Sequence, residues 1–117
     1  MASEESRAAG VIAPALTEAQ FMTQVTELAT LRGWSWCHWR AGGFSKGWRV
    51  PVQGPLGTGW PDLALARERR FILAELKTDR GKLSAAQEQA LSILSKCVAE
   101  VYEWRPRDWS QIELVLR

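Results

Sequence analysis

The stretch that decides the fold runs from residue 60 to residue 77: Trp60-Pro61-Asp62-Leu63-Ala64-Leu65-Ala66-Arg67-Glu68-Arg69-Arg70-Phe71-Ile72-Leu73-Ala74-Glu75-Leu76-Lys77. Two largely apolar runs, 62–66 and 70–77, flank a charged turn over Arg67 to Arg70. Short apolar runs separated by a few polar residues read as the two strands of a hairpin. With Glu68-Arg69 at the centre of the turn, Arg67 faces Arg70 and Asp62 faces Glu75.

Directly opposed residues on antiparallel strands have Cβ atoms ~4.5–5.5 Å apart, and like charges in such a pair destabilise the sheet. Asp62 opposite Glu75 therefore calls for something cationic between the two. Converging carboxylates are what a hard divalent cation needs, and Mg²⁺ takes only one or two of them beside substrate oxygens. Lys77 follows Glu75 by two residues, so it projects from the same face of its strand. A hard cation, two carboxylates and an amine suit hydrolysis of a phosphodiester. The metal polarises a phosphoryl oxygen and activates water, and the lysine orients that water or stabilises charge on the transition state. A plainer alternative stands beside this: Asp62 as a turn residue after Pro61, and Glu75 with Lys77 as an exposed ion pair worth ~0–1 kcal/mol. Phe71 and Leu73 share the face of Glu75, which argues that this face is partly buried.

Upstream, Thr17-x-x-Gln20 is a capping box. It opens a helix whose apolar stripe is Phe21, Met22, Val25, Leu28 and Ala29, with Gly33 as the stop. Glu18 precedes Phe21 and Met22 by three and four residues, on or beside that stripe. Trp34 to Arg40 reads as a strand. Ala41 to Trp60, rich in glycine, is a long loop, and a loop of that length in a compact domain is functional or disordered. Downstream, Ser84-x-x-Gln87 is a second capping box. The helix it opens has the stripe Ala90, Leu91, Leu94 and either Cys97 or Val98. A strand over Ala99 to Trp104 follows, Pro106 ends it, and Asp108 caps a short last helix docked by Ile112 and Leu116. The order α-β-β-β-α-β-α predicts an α/β fold: a central mixed sheet flanked by helices.

The chain has 117 residues and 13.2 kDa, which suits one domain. Residues 1–15 read as a disordered or frayed tail, and 16–117 as the domain. One histidine, His38, and two cysteines, Cys37 and Cys97, leave no ligand set for a four-coordinate structural zinc site. The thiols are expected to be reduced core residues of a cytoplasmic protein, with a single bridge as the alternative. No apolar run approaches the ~20 residues of a membrane span.

The net charge of +2 hides an uneven distribution. Residues 32–82 carry ten bases against Asp62, Glu68, Glu75 and Asp79, while the flanking segments are slightly acidic. A basic block around an acidic pair is the footprint of a polyanion-binding site, a solvated basic surface being the plain alternative. Arg80, Lys82 and the amides near Ser84 can receive a phosphate. Arg40, Lys46 and Arg49 can track a DNA backbone on the other side. Trp48 and Trp60 either stack on unpaired bases or anchor the loop. His38 either lines the site or is a satisfied core histidine. Arg67, Arg69 and Arg70 at the hairpin tip are expected to face solvent.

Pro61-Asp62 followed by Glu75-Leu76-Lys77 resembles the signature of the PD-(D/E)XK nucleases. Within that superfamily, Gly59-Trp60-Pro61-Asp62-Leu63, Ala74-Glu75-Leu76-Lys77-Thr78, Gly81-Lys82-Leu83-Ser84-x-x-Gln87 and Val101-Tyr102-x-Trp104-Arg105-Pro106 resemble the VRR-NUC domains, especially the small stand-alone forms of phages and bacteria similar to Holliday-junction resolvases. The resemblance covers residues 16–117. It implies a restriction-endonuclease-like αβββαβ core and a DNA endonuclease that is selective for branched DNA, such as a Holliday junction or flap, in recombination, repair or phage DNA processing. It implies Mg²⁺ or Mn²⁺ on Asp62, Glu75 and the backbone carbonyl of Leu76, with Lys77 catalytic. It implies an acid from the first helix, matched by Glu18 with Glu27 as fallback. It also implies that Gln87 helps hold a phosphate or a water on the metal, a role compatible with its capping box. Small relatives that work as homodimers on junctions imply a homodimer here. A non-catalytic nucleic-acid-binding module on the same fold is the alternative.

Overall fold

The computed structural model describes residues 15–39 and 52–117. Helix α1, Glu18–Leu31, starts at the Thr17–Gln20 capping box. Gly33, at φ +81°, turns the chain out of it in a conformation that glycine adopts without a Cβ clash. Strand β1, Ser35–His38, leads to the long connection, of which 52–60 are described and contain a 3₁₀ turn at Gly57–Gly59. Then come β2, Leu63–Arg67, and β3, Arg70–Leu76. Helix α2, Ala85–Leu94, opens on the Ser84–Gln87 capping box. Strand β4, Glu100–Trp104, a 3₁₀ turn at Pro106–Asp108, and α3, Trp109–Val115, close the chain.

The four strands form one mixed sheet in the order β1-β2-β3-β4. The β1–β2 and β2–β3 pairs are antiparallel, and β3–β4 is parallel, joined by the α2 crossover. This is the expected α/β order, and the hairpin has the expected register, from Leu63 opposite Ala74 to Arg67 opposite Arg70. Its turn requires Glu68 at φ +56°.

Alternation assigns the faces. Leu63, Leu65, Ile72, Ala74, Leu76 and Trp104 join Phe21, Val25 and Ala29 of α1, and Ile112 and Leu116 at the chain's end, in the main core. Leu73 and Glu75 point to the other face, also buried, where α2 lies. The stripes of α1 and the docking of Ile112 and Leu116 are as expected.

Several expectations need correction. The α2 stripe stops at Leu94, because the helix ends there; Cys97 and Val98 are exposed. Cys37 is exposed as well, since it lies on the edge strand β1, so neither thiol is a core residue; both are free. Asp108 does not cap α3 with its side chain. Its carboxylate instead accepts from the Arg105 N–H at 2.9 Å and closes the preceding 3₁₀ turn. Arg67 and Arg70 are part-exposed rather than fully solvated, the Arg70 side chain being 37% exposed. Both guanidiniums stack on Trp34, at 4.5 and 5.0 Å, and donate to backbone carbonyls of 32 and 115–117. The β1 strand is shorter than expected, and its predicted end at Arg40 lies outside the described residues. So do the predicted tail, save residue 15, and loop residues 41–51. No helix among the described residues is long and apolar enough to cross a membrane.

Candidate metal centre

The hairpin and the α2 crossover build the site together. One step beyond the Leu63–Ala74 pair, Asp62 and Glu75 stand opposite each other at the open end of the hairpin. On the far side of Asp62, its carbonyl accepts from the Trp39 N–H at 3.0 Å. On the far side of Glu75, the β4 register places Glu103. Trp39, Asp62, Glu75 and Glu103 thus form a row across one face of the sheet. Glu103 is held by Arg105 at 2.6 Å, which ties its charge to a cation outside the row.

Each acid is held differently. Asp62 Oδ2 accepts from the Leu76 N–H at 3.0 Å. Carried one residue further, the register sets Pro61 opposite Leu76. Pro61 has no N–H to return to the Leu76 carbonyl, so the ladder stops here with that oxygen unclaimed by its cross-strand neighbour. Glu75 is 1% exposed. Its Oε2 accepts from Gln87 Nε2 at 3.0 Å and lies 3.7 Å from Lys77 Nζ. Its Oε1 is buried and has no hydrogen-bond donor.

Gln87 serves two structures at once. Its Oε1 accepts from the Ser84 N–H at 2.8 Å, completing the cap, while its Nε2 reaches Glu75. The two roles read from the sequence coexist in one amide. Gly59 brings the chain against the first turn of α2: a Cβ there would fall on the Ala86 carbonyl. That close approach delivers Pro61 and Asp62 to the helix that carries Gln87.

The electrostatics follow from burial. Glu75 is pushed up to about 8, first by desolvation and then by the Asp62 charge, with Lys77 opposing. Asp62 is also raised by desolvation, opposed by the Leu76 N–H and by the charges of Lys77 and His38. A buried carboxylate opposite a part-buried one cannot ionise together with it cheaply without a cation. Asp62, Glu75 and the Leu76 carbonyl offer only hard oxygen donors, one of them orphaned, and so they fit Mg²⁺ or Mn²⁺. Among the described residues no three His, Cys, Asp or Glu side chains group as a ligand set, so the candidate set is two carboxylates with a carbonyl.

The remaining sequence candidates fall into three groups. Glu18 is exposed at the start of α1; its charge is felt by Glu75, but it makes no contact with the pair. Glu27 is exposed further along α1. Ser84 is spent as the α2 cap, accepting from the Gln87 N–H at 3.1 Å. Arg80 and Lys82 are exposed on the loop before it. Arg40, Lys46, Trp48 and Arg49 lie outside the described residues. His38 is half-buried and stacks on Trp36, 5.7 Å between ring centroids and 6° between planes.

No protein-family model, curated protein or solved structure matches this chain. The site therefore stands on its own geometry.

Two residues beside the site were not singled out from the sequence as part of it. Trp39 is next to Asp62 in the row, and its ring meets that of Trp60 edge-on at 6.3 Å and 86°. The alternation of β1 already puts residue 39 on the same face as residue 37, and the hairpin parity puts residue 62 there too. The other is Arg105, whose guanidinium donates to the Thr78 and Gly81 carbonyls.

Proposed function

We propose that this chain is a metal-dependent DNA endonuclease of the PD-(D/E)XK type, acting on branched DNA. The observation that carries the reading is the buried Glu75 carboxylate. It opposes Asp62, has one oxygen without a donor, and has a lysine at its other oxygen. A module that only binds nucleic acid has no use for acids in its phosphate-facing site, and burying them unsatisfied is costly.

In this reading Asp62, Glu75 and the Leu76 carbonyl hold Mg²⁺ or Mn²⁺. The metal, when bound, supplies Lewis-acid stabilisation of the phosphoryl group and a more acidic water. Lys77 is the cation placed toward the substrate. Its side chain is 13% exposed, so it reaches solvent while its charge stays close to Glu75. It orients the attacking water or offsets charge that builds on the non-bridging oxygens. Gln87 fixes the orientation of Glu75 and so of its free oxygen. Exposed Arg80 and Lys82 give a descending DNA strand its phosphate contacts. A homodimer would set two such sites symmetrically on a junction.

The test is cleavage of a matched panel with Mg²⁺ or Mn²⁺: linear duplex, single strand, flap, splayed arm and four-way junction. The branched substrates are expected to be cut. Asp62→Ala and Glu75→Ala are expected to abolish cleavage, and Lys77→Ala to reduce it by about 10²–10³-fold, while binding to the junction persists. Cutting at the unsubstituted rate by these variants would refute the assignment.

A further inference from the structure

Arg105 lies immediately after β4, and every nitrogen of its guanidinium is bound within the protein. Nη1 donates to the carbonyls of Thr78 and Gly81, both at 2.6 Å. Nε and Nη2 are taken by Glu103 Oε2, at 2.9 and 2.6 Å. The side chain is 11% exposed. A guanidinium carries five N–H donors in a fixed fork, and here every nitrogen is engaged within the protein.

The two carbonyls it grips belong to the loop between Lys77 and Ser84. That loop connects the two halves of the site: the strand that presents Glu75 and Lys77, and the helix that presents Gln87. Its start is fixed by the Lys77 N–H on the Trp104 carbonyl, at 3.0 Å. Its middle is braced by Arg107, whose N–H and Nη1 bond Asp79 at 3.1 and 3.0 Å. Arg105 joins the first and last residues of the Thr78–Gly81 turn. Three residues later the chain enters the Ser84 cap, and the same Gln87 amide that closes the cap holds Glu75.

We infer that Arg105 is a positioning residue for the site. By clamping the Thr78 and Gly81 carbonyls it sets where α2 begins, and thereby holds Gln87 on Glu75. It touches neither metal ligand nor substrate. The inference rests on the nuclease reading, because the quantity it controls is the orientation of a proposed metal-binding carboxylate. Lysine is no substitute: an ammonium is a compact point charge without the planar fork that here spans two carbonyls and a carboxylate.

The experiment is a Mn²⁺ titration by calorimetry on four proteins: the unsubstituted chain, Gln87→Ala, Arg105→Lys and the double variant. Thermal melts check that each is folded, and Arg105→Gln replaces Arg105→Lys should the latter unfold. Loss of a group that orients a metal ligand costs roughly 10–100-fold in affinity. Gln87→Ala and Arg105→Lys are each expected to weaken Mn²⁺ by about that factor. The double variant is expected to be no weaker than Gln87→Ala alone, since both act through one contact. Unchanged affinity in Arg105→Lys, or losses that multiply in the double variant, would overturn the inference while leaving the nuclease reading intact. Absence of Mn²⁺ binding by the folded, unsubstituted chain would overturn both.

Discussion

The β2–β3 hairpin carries a like-charged cross-strand pair at each end, and the two ends treat it in opposite ways. At the turn, Arg67 faces Arg70. Trp34 lies under both guanidiniums, four backbone carbonyls accept from them, and Glu100 pairs with Arg70 at 2.7 Å. Repulsion there is fully answered by the protein. At the open end, Asp62 faces Glu75 with one N–H, one amide and one ammonium shared between them. A buried oxygen is left over, and both carboxyls are pushed toward their neutral forms. The same strand pairing produces a finished brace at one end and an unfinished charge set at the other. Under the proposed function the open end is the place where a cation completes the structure, in keeping with unsatisfied groups gathering at functional sites.

Breaking the finished end should cost the most stability. Trp34 is buried, supports both arginines and donates from Nε1 to the Leu116 carbonyl at 2.9 Å. Trp34→Ala is expected to destabilise the fold by about 3–5 kcal/mol, read by denaturant unfolding with an unchanged m-value.

The open end should respond to pH with the opposite sense from an ordinary salt-bridged carboxylate. Glu75 is raised from 4.5 to about 8 in the folded chain, so the folded state holds a proton that the unfolded state releases. Its contribution is fully present below pH 4.5 and is lost as pH rises toward 8. The metal-free protein is therefore expected to melt lower at pH 8 than at pH 5, by ~4 °C or more for each ~1 kcal/mol lost. Glu75→Gln, which cannot titrate, is expected to flatten that slope and to be the more stable protein at pH 8. A slope unchanged by the substitution would place the titration elsewhere.

The smallest effect sharpens the contrast within the turn itself. Arg69 is exposed between the two clamped arginines and makes no hydrogen bond or ion pair among the described residues. Arg69→Ala is expected to shift stability by no more than ~0.5 kcal/mol.

How much of this was legible in the sequence follows from the range of the interactions. The hairpin register, both capping boxes and the shared face of Glu75 and Lys77 depend on residues within a few positions or on strand alternation, and all are found as read. The Arg67 and Arg70 brace was missed because its partners, Trp34 and the carbonyls of 115–117, lie more than thirty residues away. A charged hairpin tip seen locally looks solvated. The Arg105 clamp was missed because it grips the carbonyls of Thr78 and Gly81, and a backbone oxygen has no signature in the sequence. Gln87 was legible as a cap, yet only the structure gives the distance from its amide to Glu75. Cys37 was misplaced because β1 is an edge strand, and Cys97 because it lies beyond the last turn of α2.

The central claim is that Asp62 and Glu75 form a cation site, and Mn²⁺ calorimetry near pH 7 tests it most directly, in buffers of differing ionisation heat. Saturable binding by the unsubstituted chain with proton release is expected, because a proton held by the pair must leave. Affinity at least tenfold weaker is expected in Asp62→Asn and Glu75→Gln, with the fold intact by thermal melting. No binding by the folded, unsubstituted chain, or equal binding by the two variants, would contradict the claim.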